Sequence, residues 1–355
     1  MEKDMEMTVE KSAVDALYEE LSKKLKDVVP DIELRYKAEV ACRINVLKVE
    51  RNAVILGHNY MEPALYHSIT DIRGDSLELS RAVMDVDKDV IVFCGVRFMA
   101  ETAKILNPSK MVLFPGRKGG CSLADGITAD DVRSLKRMYP GVPVVAYVNT
   151  RADVKAESDI CCTSGNASHV VESLKAETVI FIPDEYLAQN VAKETKKHII
   201  FPTLASKPEK GTLLDYQMIG WRARCEVHDK FTTEDVQNVR KQFPDVVILA
   251  HPECRPEVID VVDFCGSTSA MIHFVETTKA PRYLLLTECS MGDNVAAANP
   301  QKEMLRLCSV RCPHMNEITL EDTLHSLENL QQVIEIPEHI RVRAFQAVER
   351  MLHIS

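Results

Sequence analysis

Three stretches of this chain can be laid over one another, and that self-similarity constrains its fold more than any other feature. They are "VILGHNYMEPALYHSITDIRGDSLELSRAV" from Val54, "VVAYVNTRADVKAESDICCTSGNASHVV" from Val144 and "VILAHPECRPEVIDVVDFCGSTSAMIHFV" from Val247. Each reads as an apolar strand, a polar turn, a helix, a short strand after an Asp, and a Gly/Ser/Thr turn opening a second helix. The registers agree: Ser76 lies 18 positions beyond His58, Ser164 17 beyond Tyr147, and Thr268 17 beyond His251. A self-similar unit of this length predicts stacked or pseudo-symmetric modules. Further strand runs, "DVIVFCG", "TVIFIP" and "RYLLLTE", are continuously apolar, as in parallel sheets covered on both faces. Helical periodicity in "TEDVQNVRKQF" and "DEYLAQNVAKETKK" fills the spaces between strands. The predicted fold is α/β: three pseudo-symmetric repeats, each a small parallel sheet flanked by helices, around a central site. The expected boundaries are a helical segment over 1–34 and repeats over 35–128, 129–230 and 231–355, the last carrying the C-terminal helices.

A chain of 355 residues exceeds what one hydrophobic core usually serves, in keeping with several modules. Its net charge of -10, with basic residues scattered among acids, argues against nucleic acid or an anionic membrane as partner. The longest uncharged apolar run, near "VIVFCGV", is far short of a bilayer span, and "MEKDMEMTVEK" has no apolar signal-peptide core. A cytoplasmic protein with small ligands is expected. In a reducing compartment the eleven cysteines are not a disulfide framework.

One cysteine in a loop-like setting follows each repeat: Cys121 in "GGCSLAD", Cys225 in "ARCEVHD" and Cys312 in "VRCPHMN", 104 and 87 residues apart. If the repeats surround an axis, these loops converge and three thiols meet. Three readings stay open from the residues alone. Three thiolates on a cubane 4Fe-4S cluster leave one iron with an open position; the same cysteines with His228 make a Cys3His zinc site, although Cys121 lacks the close partner usual for zinc; or the thiols are inert and buried. Cys308 is read as a bystander beside Cys312 and Cys254 as near the site without ligating. Cys42, Cys94, Cys265 and Cys289 read as core fillers, and the adjacent Cys161 and Cys162 are left out of any ligand set.

The turns "GDSLELS", "TSGNAS" and "GSTSAM" place Ser76, Ser164 and Thr268 where strands give way to helices. Such positions suit carboxylate or phosphate groups, and equally suit ordinary N-capping. His58, Tyr147 and His251 share the strand-end position where α/β folds place active sites. With Tyr60, His228 and Glu253 they form the candidate acid-base set. No GxGxxG or GxxxxGK(S/T) stretch is present, which removes the common nucleotide sites.

With "GHNYMEP", "FCGVRFMAETAKILNP", "YVNT", "CTSGNA", "CEVHDKF", "AHPEC" and "CPHMN" in the same order, the chain resembles the quinolinate synthase family over nearly its whole length. The resemblance implies three pseudo-symmetric α/β domains with a 4Fe-4S cluster where they meet, on Cys121, Cys225 and Cys312. It implies condensation of iminoaspartate with dihydroxyacetone phosphate to quinolinate, releasing phosphate and water, within NAD biosynthesis. It also implies transient contact with the enzyme supplying iminoaspartate. Substrate-contacting positions of the family match His58, Tyr60, Ser76, Tyr147, Val148, Asn149, Ser164, His228, His251, Pro252, Glu253 and Thr268. Two stretches depart from the pattern: Ala223 and Arg224, where relatives carry Gly and a small residue, and "TECSMGDN", where a Thr-Glu-x-Gly turn is usual. The competing functions are a zinc-dependent lyase or aldolase and a non-catalytic iron-sulfur sensor.

Overall fold

The computed structural model describes residues 2–203, 216–306 and 310–354, so Cys308 lies outside the described residues. Its β-strands form three parallel sheets. The first holds β1 (Ala53–His58), β2 (Ile72–Gly74), β3 (Val90–Cys94) and β4 (Met111–Leu113), in the order β2-β1-β3-β4. The second holds β5 (Val144–Tyr147), β6 (Ile160–Cys162), β7 (Val179–Ile182), β8 (Ile199–Ile200) and β9 (Met218–Gly220), ordered β6-β5-β7-β9-β8. The third holds β10 (Val246–Ala250), β11 (Phe264–Cys265), β12 (Arg282–Leu286) and β13 (Glu303–Leu305), ordered β11-β10-β12-β13. Apart from the added β8, one strand order occurs three times, as the repeat predicts.

The short second strand of each sheet is fixed by the Asp before it. Asp71 Oδ2 accepts the Ile55 N–H at 2.9 Å, Asp159 Oδ2 that of Val144 at 2.8 Å, and Asp263 Oδ2 that of Ile248 at 2.8 Å. Each Asp also donates its own N–H to a carbonyl of the same neighbouring strand. A carboxylate locked to an adjacent strand sets register, which a buried parallel sheet cannot shift without exposing its apolar set. Both faces are covered: Ile248 and Ala250 of β10 pack in one cluster with Leu284 and Leu286, whereas Leu249 joins the larger core with Leu285 and Tyr283.

A second device repeats after each loop cysteine. Thr128, Thr232 and Thr319 each stand seven residues beyond Cys121, Cys225 and Cys312, and each accepts the N–H of an Asp three residues on, at 3.1–3.2 Å. The Thr side chain satisfies a helix-end amide that would otherwise lack a partner, contributing about 1 kcal/mol per helix. The helices so begun, Ala129–Met138, Thr233–Gln242 and Leu320–Asn329, carry the chain away from the cysteines. The last packs on Asp31–Glu50, the second helix of the chain, and the C-terminal helix Glu338–Leu352 packs on Ala152–Ala156 and β6. No helix among the described residues is long and apolar enough to cross a membrane. Of the four expected core cysteines only Cys94 is fully buried: Cys42 is half-buried against the core, Cys289 half-buried at a helix start, and Cys265 exposed, because β11 is an edge strand.

Candidate active site

The strand-end turns after β1, β5 and β10 open on one shared cavity. Its wall includes His58 and Tyr60 from the first unit, Tyr147 and Asn149 from the second, and His251 and Glu253 from the third. The residues between them, Asn59, Val148 and Pro252, are absent from the lining. These residues lie in tight turns, two of them closed by the Met61 N–H on the His58 carbonyl and the Cys254 N–H on the His251 carbonyl, in which the middle side chain is turned away from the cavity. Val148 donates its N–H to the Cys162 carbonyl instead, and the Pro252 carbonyl accepts from Asn190.

Hydrogen bonds join side chains from all three units into one chain. Tyr60 hydroxyl contacts Thr287 Oγ1, which lies 2.9 Å from His228 Nε2. His228 Nδ1 is 2.6 Å from Glu253 Oε2, and Glu253 Oε1 accepts from Tyr147 hydroxyl at 2.6 Å and Asn149 Nδ2 at 3.2 Å. Burial alone would raise the Glu253 carboxyl, but His228 beside it, then His251 and the Tyr147 hydroxyl, hold it below the usual carboxylate range. Both phenols are driven well above their ordinary value, first by burial and then by the Glu253 charge. They stay protonated, as hydroxyls able to donate hydrogen bonds.

The two strand-end histidines share one tautomer. His58 Nδ1 accepts the Tyr60 N–H at 3.2 Å, and His251 Nδ1 accepts the Glu253 N–H at 3.4 Å. Each ring in its neutral form therefore carries its proton on Nε2, which for His251 lies 3.1 Å from Ser164 Oγ. Burial lowers His58 to about 4 and His251 to about 3, so both are neutral hydrogen-bond donors at neutral pH.

Cys121, Cys225 and Cys312 all line this cavity, and no disulfide joins any cysteine among the described residues. Each thiol stands in the same cradle, ahead of a short helical turn whose second and third following amides favour its ionised form. Those amides belong to Leu123 and Ala124, to Val227 and His228, and to His314 and Met315. Burial is the larger influence: it pushes Cys121 to about 12, Cys312 to about 11 and Cys225 well above its ordinary value. Thiols poised this way ionise when a cation arrives, and three anion-favouring cradles on one wall fit a multi-thiolate metal group. Cys225, His228 and Glu253 also bring a sulfur, a nitrogen and an oxygen within 4.8 Å of one another, close enough to hold a metal ion. Cys254 is buried beside the site, directed at the Leu286 carbonyl, and is absent from the lining.

Ser76, Ser164 and Thr268 line the cavity as well, and none is the cap of its helix. Asp75 caps Ser76–Ala82, Asn166 precedes Ala167–Ser173, and Ser267 caps Thr268–Thr277. The capping alternative thus falls to neighbouring residues, leaving these three hydroxyls facing the cavity. Sequence reasoning missed Asp75 and Thr163, which line the cavity, and Thr287, which completes the hydrogen-bonded chain. The polar end of "RYLLLTE", one residue past β12, was a usable signal for Thr287. The first of the two departures is accommodated. Arg224 donates to Glu185 at 2.9 Å and lies over the Tyr186 ring, and Ala223 fits because a Cβ on the facing Gly126 would come within 2.6 Å of it.

The family model described as "Quinolinate synthetase A protein" matches residues 42–353. The chain is 51% identical over 331 residues to Quinolinate synthase 2 of Mesorhizobium japonicum, covering 93% of this chain and 96% of that one. It is 52% identical over 308 residues to the quinolinate synthase of Agrobacterium fabrum, covering 87% and 84%. Against the quinolinate synthase of Xylella fastidiosa it is 51% identical over 308 residues, covering 87% and 85%.

Proposed function

The chain belongs to the quinolinate synthase family and is an enzyme, and from that premise we propose that its cavity condenses iminoaspartate with dihydroxyacetone phosphate. The products are quinolinate, phosphate and water, and the reaction feeds NAD biosynthesis in the cytoplasm. The cofactor of this reading is a 4Fe-4S cluster on Cys121, Cys225 and Cys312, one from each of the units 35–128, 129–230 and 231–355. The observation that carries it is the threefold thiol cradle, the same in all three units and opening on one cavity. Bound there, such a cluster offers an open iron as a Lewis acid for a substrate oxygen.

The side chains supply the rest. Neutral His58 and His251 donate from Nε2 to carboxylate or carbonyl oxygens, while the hydroxyls of Ser76, Ser164 and Thr268 grip the remaining carboxylate and phosphate oxygens. Asn149 Oδ1 is buried without a partner and offers an acceptor for the imine N–H. Tyr60 and Tyr147 give protons during enolisation and ring closure, and the chain through Thr287, His228 and Glu253 returns them.

The approach of Cys225, His228 and Glu253 favours a second reading, a zinc-dependent lyase or aldolase. The likeness of the three thiol cradles counts against it, because a zinc on Cys225, His228 and Glu253 would leave Cys121 and Cys312 without a task. Anaerobic purification of the full chain tests both. The proposal expects a brown protein with about four irons and four sulfides per chain, which makes quinolinate from iminoaspartate and dihydroxyacetone phosphate. A colourless protein with one zinc overturns it, and a brown protein making no quinolinate points to a sensor.

A further inference from the structure

Each of the three strand-end turns is held by one donor side chain that bridges two of its carbonyls, always at the same two positions. In the first unit Asn294 Nδ2 donates to the Asn59 carbonyl at 3.2 Å and the Met61 carbonyl at 2.9 Å. In the third, Asn190 Nδ2 donates to Pro252 at 2.8 Å and Cys254 at 2.9 Å. In the second, Lys155 Nζ donates to Val148 at 2.8 Å and to Thr150. Counted from His58, Tyr147 and His251, the bridged carbonyls are the first and third residues onward in every case.

The donors come from equivalent places in two of the three. Asn190 stands eight residues after Ile182, the end of β7, and Asn294 eight after Leu286, the end of β12. Each sits on a helix of one unit and grips the turn of the next: the second unit holds the third, and the third holds the first. The matching position after β3 is Thr102, whose hydroxyl bonds back to the Phe98 carbonyl of its own helix. The first unit therefore passes no such bridge forward, and Lys155, fully buried on the helix Ala152–Ala156, performs it from within the second. Glu101, beside Thr102, contributes only a single acceptor, for the Ala152 N–H at 2.9 Å.

We propose that Asn190, Asn294 and Lys155 are positioning residues: each bridges the backbone of one strand-end turn and thereby aims the two cavity-facing side chains on either side of the first bridged carbonyl. These pairs are His251 and Glu253, His58 and Tyr60, and Tyr147 and Asn149. The inference rests on the proposed function for the roles of those pairs. The chemistry suits the task, because an amide nitrogen has two hydrogens in a fixed plane and satisfies two carbonyls without adding charge. An ammonium does the same and must keep its proton to do so. These residues are buried, and except at Val148, whose carbonyl also accepts the Thr150 N–H at 2.7 Å, loss of the donor leaves the carbonyls unpaired and the turn free to drift, and drift of about 1 Å costs large factors in rate.

The test uses the anaerobically prepared full chain and the half-buried Asn190, where removal least threatens folding. Asn190→Leu is expected to lower kcat about tenfold, with iron content unchanged, and to speed amide hydrogen exchange at residues 251–254 but not at 58–61. Combined with Glu253→Gln its effect on kcat should be less than multiplicative, and combined with Tyr60→Phe multiplicative. Asn294→Leu should reverse that pattern, and Lys155→Arg should recover part of what Lys155→Met loses. Wild-type kcat in Asn190→Leu, or exchange spread evenly over both turns, overturns the proposal. If the wild type makes no quinolinate, the functional reading fails instead, and hydrogen exchange alone decides whether the bridges hold the turns.

Discussion

The cavity has two rims, one repeated and one diverged. On the cysteine rim the three units are alike: a thiol, two amides two and three residues on, and a Thr-capped helix starting after the seventh. On the strand-end rim the same positions hold His58 and Tyr60, Tyr147 and Asn149, and His251 and Glu253. A repeated rim suits an object that looks the same from three sides, whereas a diverged rim suits reactants that do not. Within one fold, equivalent backbone was kept at both rims, and only the side chains facing the asymmetric ligand separated in chemistry.

Single Cys→Ser changes put the largest strain on this comparison. At 121, 225 or 312 each should remove the cluster and reduce quinolinate formation to background, to the same extent at all three. Iron retained at only one of these variants would break the likeness of the three cradles. On the diverged rim, Glu253→Gln should keep iron and lower kcat by on the order of 10²–10⁴, because the ionised end of the hydrogen-bonded chain is lost.

The acid limb of stability separates the units further. His58 and His251 have folded values of about 4 and about 3, below the unfolded value near 6.5. As pH falls from about 6.5 towards 4 and 3, the unfolded chain binds protons that the folded chain refuses, so stability present above that window is lost within it. Chemical denaturation across pH should show His58→Gln or His251→Gln removing up to about 3 kcal/mol of that fall. Thr287→Val should lower kcat about tenfold, as expected for one buried hydrogen-bonded link. The smallest effect belongs to the repeated rim's supports: Thr232→Ala should cost about 1 kcal/mol of stability with kcat unchanged, read by thermal unfolding beside turnover.

Much of the site was legible because the repeat is local. The Asp before each short strand, the polar strand ends and the lone cysteine after each unit are all set within a few tens of residues, where periodicity and turn chemistry operate. The cysteine rim carried a sharper signal than the spacing between cysteines, namely the Thr seven residues beyond each. Val148 and Pro252 were harder to place, since a quoted motif does not say which of three adjacent side chains face inward; the geometry of the turn does.

The sequence by itself determined three parallel sheets, their strand ends and their cysteines, because apolar runs and turn residues dictate those without reference to distant chain. Only the tertiary structure decided that Thr287 joins Tyr60 to His228, that Asp75 and Ser267 take the caps, and that Asn190 and Asn294 hold turns of neighbouring units. Tyr60 and Thr287 are 227 positions apart, and Asn59 and Asn294 235. A hydrogen bond between such residues depends on how the packed units orient one another, a geometry that no local pattern of apolar and polar residues encodes.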